Sequence, residues 1–346
     1  MPDVSVIIPT YNRLWCLPKA IESCRQPGLD VEIIVVDDGS TDGTWNWLQK
    51  QTGVLALRQE NLGQCWAQNA GFDRATGKYI RYLDSDDWYH ENTFLSQFRI
   101  AESQNADIVV AGYSVSDNDH IIKRQDWITC DDFIAQQLGE CDSSHHAAYF
   151  YRREFIADLP HRPDFALRED RLFVLEAALR HPTVAVFPLP AVNLRNHSHG
   201  RIQFPTGMRS VVTNFQHLQL YRKILKALDE EGELTLRRKR AAIKVLWPLA
   251  HWIAYTHLDE ACEVAKWIYE LDPEFMPPEQ GMLGQFYRNL GFRGTEQILK
   301  LRRMLLSPFR SRRTDGHTNA GPRPLKQSDL GADSSPPRQT SASASH

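Results

Sequence analysis

The sequence predicts an α/β protein in which a mostly parallel, Rossmann-like sheet is flanked by helices and followed by an all-helical C-terminal extension. Short apolar segments alternate with amphipathic segments four times between residues 4 and 83, the pattern of parallel strands joined by helices. Acidic residues follow two of the apolar segments, and ligands bind such sheets beyond the carboxyl ends of the strands. We therefore expect an α/β domain over residues 1–205, a helical region over 206–313 and a disordered tail over 314–346.

The composition is that of a globular chain with a sizeable core, and it argues against several classes of protein. Of the 346 residues 42% are hydrophobic, and 40 basic and 43 acidic residues give a net charge of −3, which argues against a nucleic-acid partner. The six cysteines include no C-x-x-C pair and no signal peptide is recognisable, so we expect a reduced, cytoplasmic setting. No apolar run reaches the ~18–20 residues that span a bilayer.

The first predicted unit is a strand, a loop and a helix. Residues 4–8 (VSVII) form a short apolar strand that Pro9 should stop, and residues 14–24 have helical spacing. The loop between them contains no glycine, so it cannot form the G-x-G-x-x-G turn of a dinucleotide-binding dehydrogenase or the glycine-rich basic loop of a nucleotidyltransferase. Tyr11 and Arg13 instead offer an aromatic ring and a cation.

The second unit has the same order. Residues 31–36 (VEIIVV) form a strand that ends in Asp37 and Asp38, and the following GSTDGT segment suits a tight turn into a short helix. This turn can be purely structural, or an acid at the strand end can bind the base or ribose of a nucleotide. A third short strand is predicted over residues 54–57.

The third helix, predicted over residues 61–77, has a face of small residues. Such a face lets the helix backbone lie close to the sheet or to a ligand, because little side chain stands between them. The fourth strand follows at residues 79–83. The small residues recur three and four positions apart: Gly63, Ala67, Ala70, Gly71 and Ala75.

The fourth strand ends in the acidic sequence DSDD. Asp84 and Asp86 lie two residues apart, so in an extended segment their side chains point the same way and can converge on Mg²⁺ or Mn²⁺, which prefer oxygen ligands. The alternative is that residues 85–87 cap a helix that starts near Glu91. The acidic sequence alone does not decide between them.

The middle region carries a second set of polar candidates. A fifth strand is predicted over residues 108–112, Glu169 and Asp170 open a helix that continues to residue 179, and two short strands at 184–187 and 192–194 follow. Residues 195–201 are rich in arginine and histidine. Zinc is a weak alternative for the histidines, since no cysteine stands at finger spacing.

The C-terminal third is predicted to be helical, over residues 208–228, 234–256 and 260–271, with prolines as stops. Residues 299–313 interleave apolar and basic side chains. They predict either peripheral contact with an anionic membrane at its inner face or the solvated face of a packed helix.

Four motifs, in order and in register over residues 4–88, carry a family resemblance: SVIIPTYNR, VVDDGSTDGT, NLG…AQNAG…ATGKYI and LDSDD. With them the chain resembles the inverting glycosyltransferases of family 2, which have the GT-A or nucleotide-diphospho-sugar transferase fold. The likeness continues more faintly to about residue 204. It does not cover the helical region or the tail.

The resemblance implies a role for each matching residue. Glu169 and Asp170 match a paired acid whose aspartate is the candidate catalytic base. Many relatives have arginine where this chain has Gln68, which stands beside the nucleotide site. The remaining implied roles are the base pocket for Thr10, Tyr11 and Arg13, the base or ribose for Asp38, the ribose or the metal's water shell for Asp84, Mn²⁺ or Mg²⁺ for Asp86 and His197, and the diphosphate for Arg195 and Arg201.

The resemblance therefore predicts a metal-dependent inverting glycosyltransferase. Its donor would be a nucleotide-diphosphate sugar, most simply a UDP-sugar, and its acceptor a hydroxyl of a glycan or lipid-linked acceptor in the synthesis of cell-surface polysaccharide or lipopolysaccharide. The alternative is a non-catalytic nucleotide-sugar or glycan-binding protein on the same fold. Asp170 argues against that alternative, because binding alone needs no base.

Overall fold

The structure is a computed structural model that describes residues 1–117, 119–197 and 207–311, with side chains described as far as residue 305. It divides into two compact units, one over Met1–Ile253 and one that starts at Ala254. The helical region predicted to start at residue 206 thus contributes residues to both units. All candidate site residues that the structure describes lie in the first unit.

The N-terminal half forms four parallel strands in the order β3-β2-β1-β4. β1 is buried along its whole length and runs through Pro9, which has no N–H to donate and pairs only with β2 at that position. The predicted alternation of strands and helices is confirmed. The elements are β1 (Val4–Thr10), α1 (Leu17–Cys24), β2 (Val31–Asp37), α2 (Thr44–Leu48), β3 (Leu55–Arg58), α3 (Gln64–Phe72) and β4 (Tyr79–Tyr82).

The chain then extends the same sheet in the order β8-β6-β9-β5, with β7 paired to β6. β8 is antiparallel to both β4 and β6, while β6 and β9 are parallel, so the described sheet is mixed but mostly parallel. These elements are β5 (Trp88–Tyr89), α4 (Thr93–Ser103), β6 (Ile108–Asp117), β7 (His120–Gln125), α5 (Phe133–Leu138), β8 (Phe150–Arg152), α6 (Glu169–Ala178) and β9 (Val184–Asn196).

β9 corrects the prediction of two short strands at residues 184–187 and 192–194. It is one strand of 13 residues whose pairing with β6 shifts register next to Gly112. Pro188 and Pro190 lie at this shift, where the ladder is already interrupted. Gly112 is required there, because a Cβ atom would lie 2.2 Å from the carbonyl oxygen of Gln125.

α3 packs directly on the sheet, as its small residues predict. A Cβ atom on Gly71 would lie 2.5 Å from Cγ2 of Ile7 and 3.3 Å from Cγ2 of Val36, both in buried strands. The helix is shorter than predicted, from Gln64 to Phe72 instead of residues 61–77. Gly63 has a φ of 99° and open space around its Cα, so its role is the turn before the helix.

The remaining helices are α7 (Met208–Glu230), α8 (Leu236–Ala254), α9 (Leu258–Leu271) and α10 (Gly281–Ser311). They confirm the predicted helical character of this region. α10 begins well before the predicted basic stretch and is interrupted at Gly291, where φ is 67°. Within the described residues, no helix is long and apolar enough to cross a membrane. The tail predicted over 314–346 lies outside the described residues.

Candidate active site

The acidic sequence after β4 forms a turn, which corrects the expectation of an extended segment. The backbone N–H of Asp87 donates to the carbonyl of Asp84 at 3.0 Å, so the turn and not strand alternation sets the direction of these side chains. The helix-capping alternative is wrong. β5 intervenes and α4 begins only at Thr93, and Asp87 instead accepts a hydrogen bond from the backbone N–H of Arg195 at 2.8 Å.

Asp86 contacts a histidine that lies 111 residues further along the chain. Its Oδ2 lies 2.8 Å from Nε2 of His197, just beyond β9, and the His197 side chain is only 6% exposed. The indole of Trp15 packs edge-on against the His197 imidazole at 5.1 Å. A carboxylate from residue 86 and an imidazole from residue 197 are therefore held together.

Asp84, the first residue of the turn, is bonded to α3. Gln64 at the start of α3 donates from Nε2 to Oδ1 of Asp84 at 3.0 Å. Burial, followed by the negative charges of Asp86 and Asp170, raises the pKa of Asp84 to about 7. Three carboxyl groups thus share one poorly solvated region, an arrangement that favours a bound cation.

Donor chemistry suits a divalent metal at this edge, although the three predicted ligands are not gathered tightly. Carboxylate oxygens and imidazole are ligands of Mn²⁺, and carboxylate oxygens are ligands of Mg²⁺. Among the described residues, the three metal-capable side chains whose donor atoms lie within 4.8 Å of one another are surface residues: His181, Glu231 and Glu233. Asp84, Asp86 and His197 fit the metal by donor type.

Glu169 and Asp170 occupy the first turn of α6, as predicted, but their surroundings differ. Glu169 is buried and accepts a hydrogen bond from the backbone N–H of Asp170, and burial followed by the charge of Asp170 raises the pKa of Glu169 well above its ordinary value. Asp170 is half-buried and accepts from the backbone N–H of Arg171 at 2.6 Å. Of the two, Asp170 is the more accessible to a substrate.

The ends of β1 and β2 hold the residues expected at the nucleotide base. Tyr11 is exposed, while Oγ1 of Thr10 is buried and has no hydrogen-bond partner within the described residues. Asp38 is not an open acid. Its carboxylate accepts from Nε2 of Gln59 at 2.7 Å and from the backbone N–H groups of Leu62 and Gly63 at 2.9 Å, so it fixes the loop that leads into α3.

Gln68 and its neighbour Asn69 face different surroundings. Gln68 is buried, and in the described part of the chain its Oε1 has no hydrogen-bond partner. Asn69 exchanges two hydrogen bonds, of 2.9 and 2.8 Å, with the backbone of His161. The two hydrogen bonds between Asn69 and His161 connect α3 to the segment that leads to α6.

Arg195 lies close to two tryptophan rings and to an acid between β6 and β7. Its guanidinium lies 4.8 Å from the ring of Trp88 and 5.5 Å from that of Trp15, and it forms an ion pair with Asp119 at 3.4 Å. Lys19 joins the same group, 3.5 Å from the Trp88 ring. Arg201, the other predicted diphosphate ligand, lies outside the described residues.

A small cavity opens beside Asp170, and sequence reasoning did not identify it. Its polar lining comes mostly from the loop after α5, where only the two adjacent histidines stand out in the sequence. The lining residues are Gln137, Ser143, Ser144, His145, His146, Tyr149, Asp170, Arg171 and Val174.

Comparison with known sequences finds similarity to one family. Residues 5–159 match the model of Glycosyl transferase family 2. The putative glycosyltransferase EpsH of Bacillus subtilis (strain 168) is 28% identical over 253 residues, which are 64% of this chain and 71% of that protein. The glycosyltransferase GlyG of Streptococcus pneumoniae serotype 4 is 33% identical over 145 residues, 39% of this chain and 47% of that protein, so less than half of that relative is spanned.

Solved structures support the fold. The crystal structure of S. aureus TarS 1-349 in complex with UDP-GlcNAc aligns with a TM-score of 0.62 and 16% identity, covering 87% of this chain and 91% of that one. Its complex with UDP aligns with a TM-score of 0.57 and 17% identity over the same shares. At such low identity the likeness concerns the fold alone, and it confirms the expected GT-A architecture.

Proposed function

We propose that this chain is a glycosyltransferase that moves a sugar from a UDP-sugar to an acceptor hydroxyl, with the help of a divalent cation and with inversion at the anomeric carbon. The match of residues 5–159 to Glycosyl transferase family 2 supports this reaction class. The observation that carries the proposal is the shared region of Asp84, Asp86 and Asp170. In it an acid that can hold a cation lies within electrostatic reach of an acid that can remove a proton. TarS, which has the same fold, forms complexes with UDP and UDP-GlcNAc, and this supports the choice of donor.

The metal would be held by Asp86 and His197, with Asp84 as a direct ligand or a ligand of its water shell. A bound Mn²⁺ or Mg²⁺ supplies positive charge that stabilises the leaving diphosphate. His197 is held in place by the edge of Trp15, so the chain fixes the direction of the imidazole before any metal binds. The nucleotide would lie along the ends of β1 and β2, next to the exposed ring of Tyr11.

Asp170 would act as the base that accepts the proton of the acceptor hydroxyl. Its half-buried position gives access to a substrate, and the buried Glu169 beside it stays close to the helix backbone. The cavity that Asp170 borders gives the acceptor a place on the side of the base. Attack from that side, opposite the diphosphate, is a single displacement and inverts the anomeric configuration.

The variant Asp170→Asn tests this assignment. Asparagine keeps the size of the side chain but cannot accept the proton, so transfer should fall by roughly 10² or more while UDP affinity and melting temperature stay near wild type. Nucleotide release from a panel of nucleotide sugars, with and without Mn²⁺, measures the activity, and calorimetry measures UDP binding. Asp73→Asn, an exposed aspartate at the end of α3, is the matched control.

Two results would contradict the proposal. Near wild-type transfer by Asp170→Asn would move the base elsewhere, with Glu169 tested next. UDP binding without turnover of any nucleotide sugar by the wild-type chain would favour the alternative of a non-catalytic binding protein on this fold.

We further propose that the acceptor belongs to a cell-surface polysaccharide and that α10 contacts an anionic membrane at its inner face. The relative TuaG of Bacillus subtilis (strain 168), 30% identical over 40% of this chain and 60% of that protein, is named for teichuronic acid biosynthesis. On α10, Leu301, Met304 and Leu305 are exposed at helical spacing beside Lys300 and Arg302.

Lys300→Gln with Arg302→Gln tests the membrane contact. Losing two positive charges should weaken sedimentation with phosphatidylserine vesicles, because each basic residue near such a surface contributes about 1 kcal/mol. Lys266→Gln, on α9 of the same unit, is the control. Equal sedimentation of the double variant and the control would exclude the contact.

A further inference from the structure

The cavity beside Asp170 has two chemically different walls. It has one apolar wall, formed by Val174 on α6, and a polar wall from the loop after α5. A polar wall facing an apolar one suits a molecule with hydroxyl groups at its edge and C–H groups on its face.

Two polar atoms of this wall have no partner within the described residues although they are buried. Oγ of Ser144 and Nε2 of His146 are both in this state, and His146 is more than nine-tenths buried. Buried polar groups are normally hydrogen-bonded, and an orphaned one costs about 1–3 kcal/mol. A ligand with hydroxyl groups would satisfy them.

The two histidines of the wall are neutral donors and acceptors. Burial lowers the pKa of His146 to about 3 and also lowers the pKa of His145. Nδ1 of His145 accepts from the backbone N–H of Ala147 at 3.3 Å, which puts the proton of the neutral ring on Nε2. His145 can therefore donate one hydrogen bond from Nε2, and a hydroxyl group can accept it.

The charges around the cavity disfavour an anionic ligand. Asp170 borders it, and Glu169 stands next to Asp170 in the same turn. The cation in its wall, Arg171, already donates from Nη1 to Oε1 of Gln137 at 3.0 Å and to Oγ of Ser143 at 2.9 Å. A carboxylate or phosphate would meet the carboxylate of Asp170 and a guanidinium that is already engaged.

We propose that this cavity binds one neutral sugar or polyol unit of the acceptor, and that Ser144 and His145 position its hydroxyl groups for Asp170. The inference rests on the proposed function and adds to it the chemical class of the acceptor's terminal unit.

Binding of simple glycosides to the full chain without nucleotide tests the inference. The probes are methyl β-glucopyranoside, methyl N-acetyl-β-glucosaminide and ribitol, and the anionic match is methyl β-glucuronide, which keeps the ring and adds a carboxylate. Saturation-transfer NMR should detect binding of at least one neutral probe. The protein should bind the glucuronide roughly tenfold more weakly than that probe. Ser144→Ala and His145→Ala should each lower the affinity for the neutral probe by roughly tenfold, the effect of one lost hydrogen bond.

Two further variants separate positioning from folding. His145→Gln keeps a side-chain donor and should recover part of the affinity, whereas His120→Ala, on exposed β7, should leave it unchanged. UDP affinity, measured by calorimetry in Ser144→Ala and His145→Ala, should change less than about twofold, since the loss of a contact to the acceptor does not touch the nucleotide.

The outcomes distinguish this inference from the proposed function. If the wild-type chain hydrolyses a UDP-sugar but binds no neutral probe, or binds the glucuronide best, the inference fails and the function stands. If the two variants weaken UDP-sugar binding instead of glycoside binding, the cavity belongs to the donor's sugar. Glycoside binding without any nucleotide binding would support the cavity assignment and overturn the transferase mechanism.

Discussion

Three carboxylates at the edge of the sheet are bonded to other groups of the protein, one in an ion pair and two through backbone N–H groups. Asp37 lies 3.4 Å from Nε of Arg58, Asp38 accepts two backbone N–H groups of the loop before α3, and Asp87 accepts the backbone N–H of Arg195. Each of these bonds connects segments far apart in sequence. Asp86 and Asp170 are also bonded to the chain, but Asp86 contacts the imidazole of His197 and Asp170 borders the cavity, so both lie where the proposed ligands would bind.

This division predicts opposite results for two adjacent aspartates. Asp86→Ala should lower Mn²⁺-dependent UDP affinity by roughly tenfold to a hundredfold, since a charge-assisted contact is lost, and should leave the melting temperature near wild type. Asp87→Ala should cost about 1–3 kcal/mol of stability, because the N–H of Arg195 loses its acceptor.

Calorimetry with and without Mn²⁺, together with chemical denaturation, measures both effects. Unchanged metal dependence in Asp86→Ala would remove Asp86 from the metal site. A stability loss in Asp86→Ala as large as that in Asp87→Ala would make both residues structural.

At this scale the sequence predicts residue types better than residue partners. The acids at residues 84–87 and 169–170 are evident because they interrupt apolar runs. Nothing in the sequence indicates that Arg195 lies against Trp15 and Trp88, since these contacts join residues more than 100 positions apart. The orphaned atoms of Ser144 and His146 are equally invisible, because burial depends on the packed loop.

The elements of the first half follow from local rules, and those of the second half do not. β1, β2 and β4 are apolar runs long enough to be recognised, and α3 reveals its contact face through its small residues. β8 has only three residues, too few for a periodic pattern, although it pairs on both sides. β7 exposes both Ile121 and Ile122 and lacks the alternation that marks a strand.

The packing of α3 predicts a change in stability opposite in sign to the one that helix propensity predicts. Alanine in place of a solvent-facing helical glycine stabilises by up to about 1 kcal/mol. Gly71→Ala should instead destabilise by about 1–3 kcal/mol, because its Cβ would overlap Cγ2 of Ile7 and push α3 from the sheet. Gly71→Val should cost more.

Denaturant unfolding of the two variants measures this series. A more stable Gly71→Ala protein would show that α3 can move away without loss. Because Gln64 on the same helix donates to Asp84, UDP affinity should fall along with stability in this series.

Across the first unit, buried neutral histidines make stability depend on pH. Burial lowers the pKa of His161 well below 6.5, and its ring stacks on Phe173 at 4.4 Å with neither nitrogen bonded within the described residues. The unfolded chain takes up a proton at this residue below pH 6.5 and the folded chain does not. This contribution to stability is therefore complete above pH 6.5 and is lost as the pH falls.

The variant His161→Phe should remove this dependence. Its stability relative to wild type should rise by about 1.4 kcal/mol for each pH unit below 6.5, or about 2 kcal/mol at pH 5. The raised pKa values of Asp84 and Glu169 act in the opposite direction, but both proteins share them and they cancel in the comparison. Denaturant unfolding at pH 7.5 and pH 5 measures the difference, with the exposed His120→Gln as control. A stability difference that does not change with pH would mean that His161 is charged in the folded protein.

β9 determines when the active site can be completed during synthesis. The strands from β1 to β4 can pair as soon as residue 82 has been made, but β5 pairs only with β9 among the described strands, through Trp88–Asn193 and Tyr89–Val192. The bonds of Asp86 and Asp87 wait for residues 197 and 195 in the same way. The stretch that matches the family ends at residue 159. A nascent chain of that length therefore contains the acidic turn but neither His197 nor β9. Translation must continue about 40 residues further before a ribosome-bound chain contains both Asp86 and His197, so a pause between the two points would expose an unfinished sheet edge.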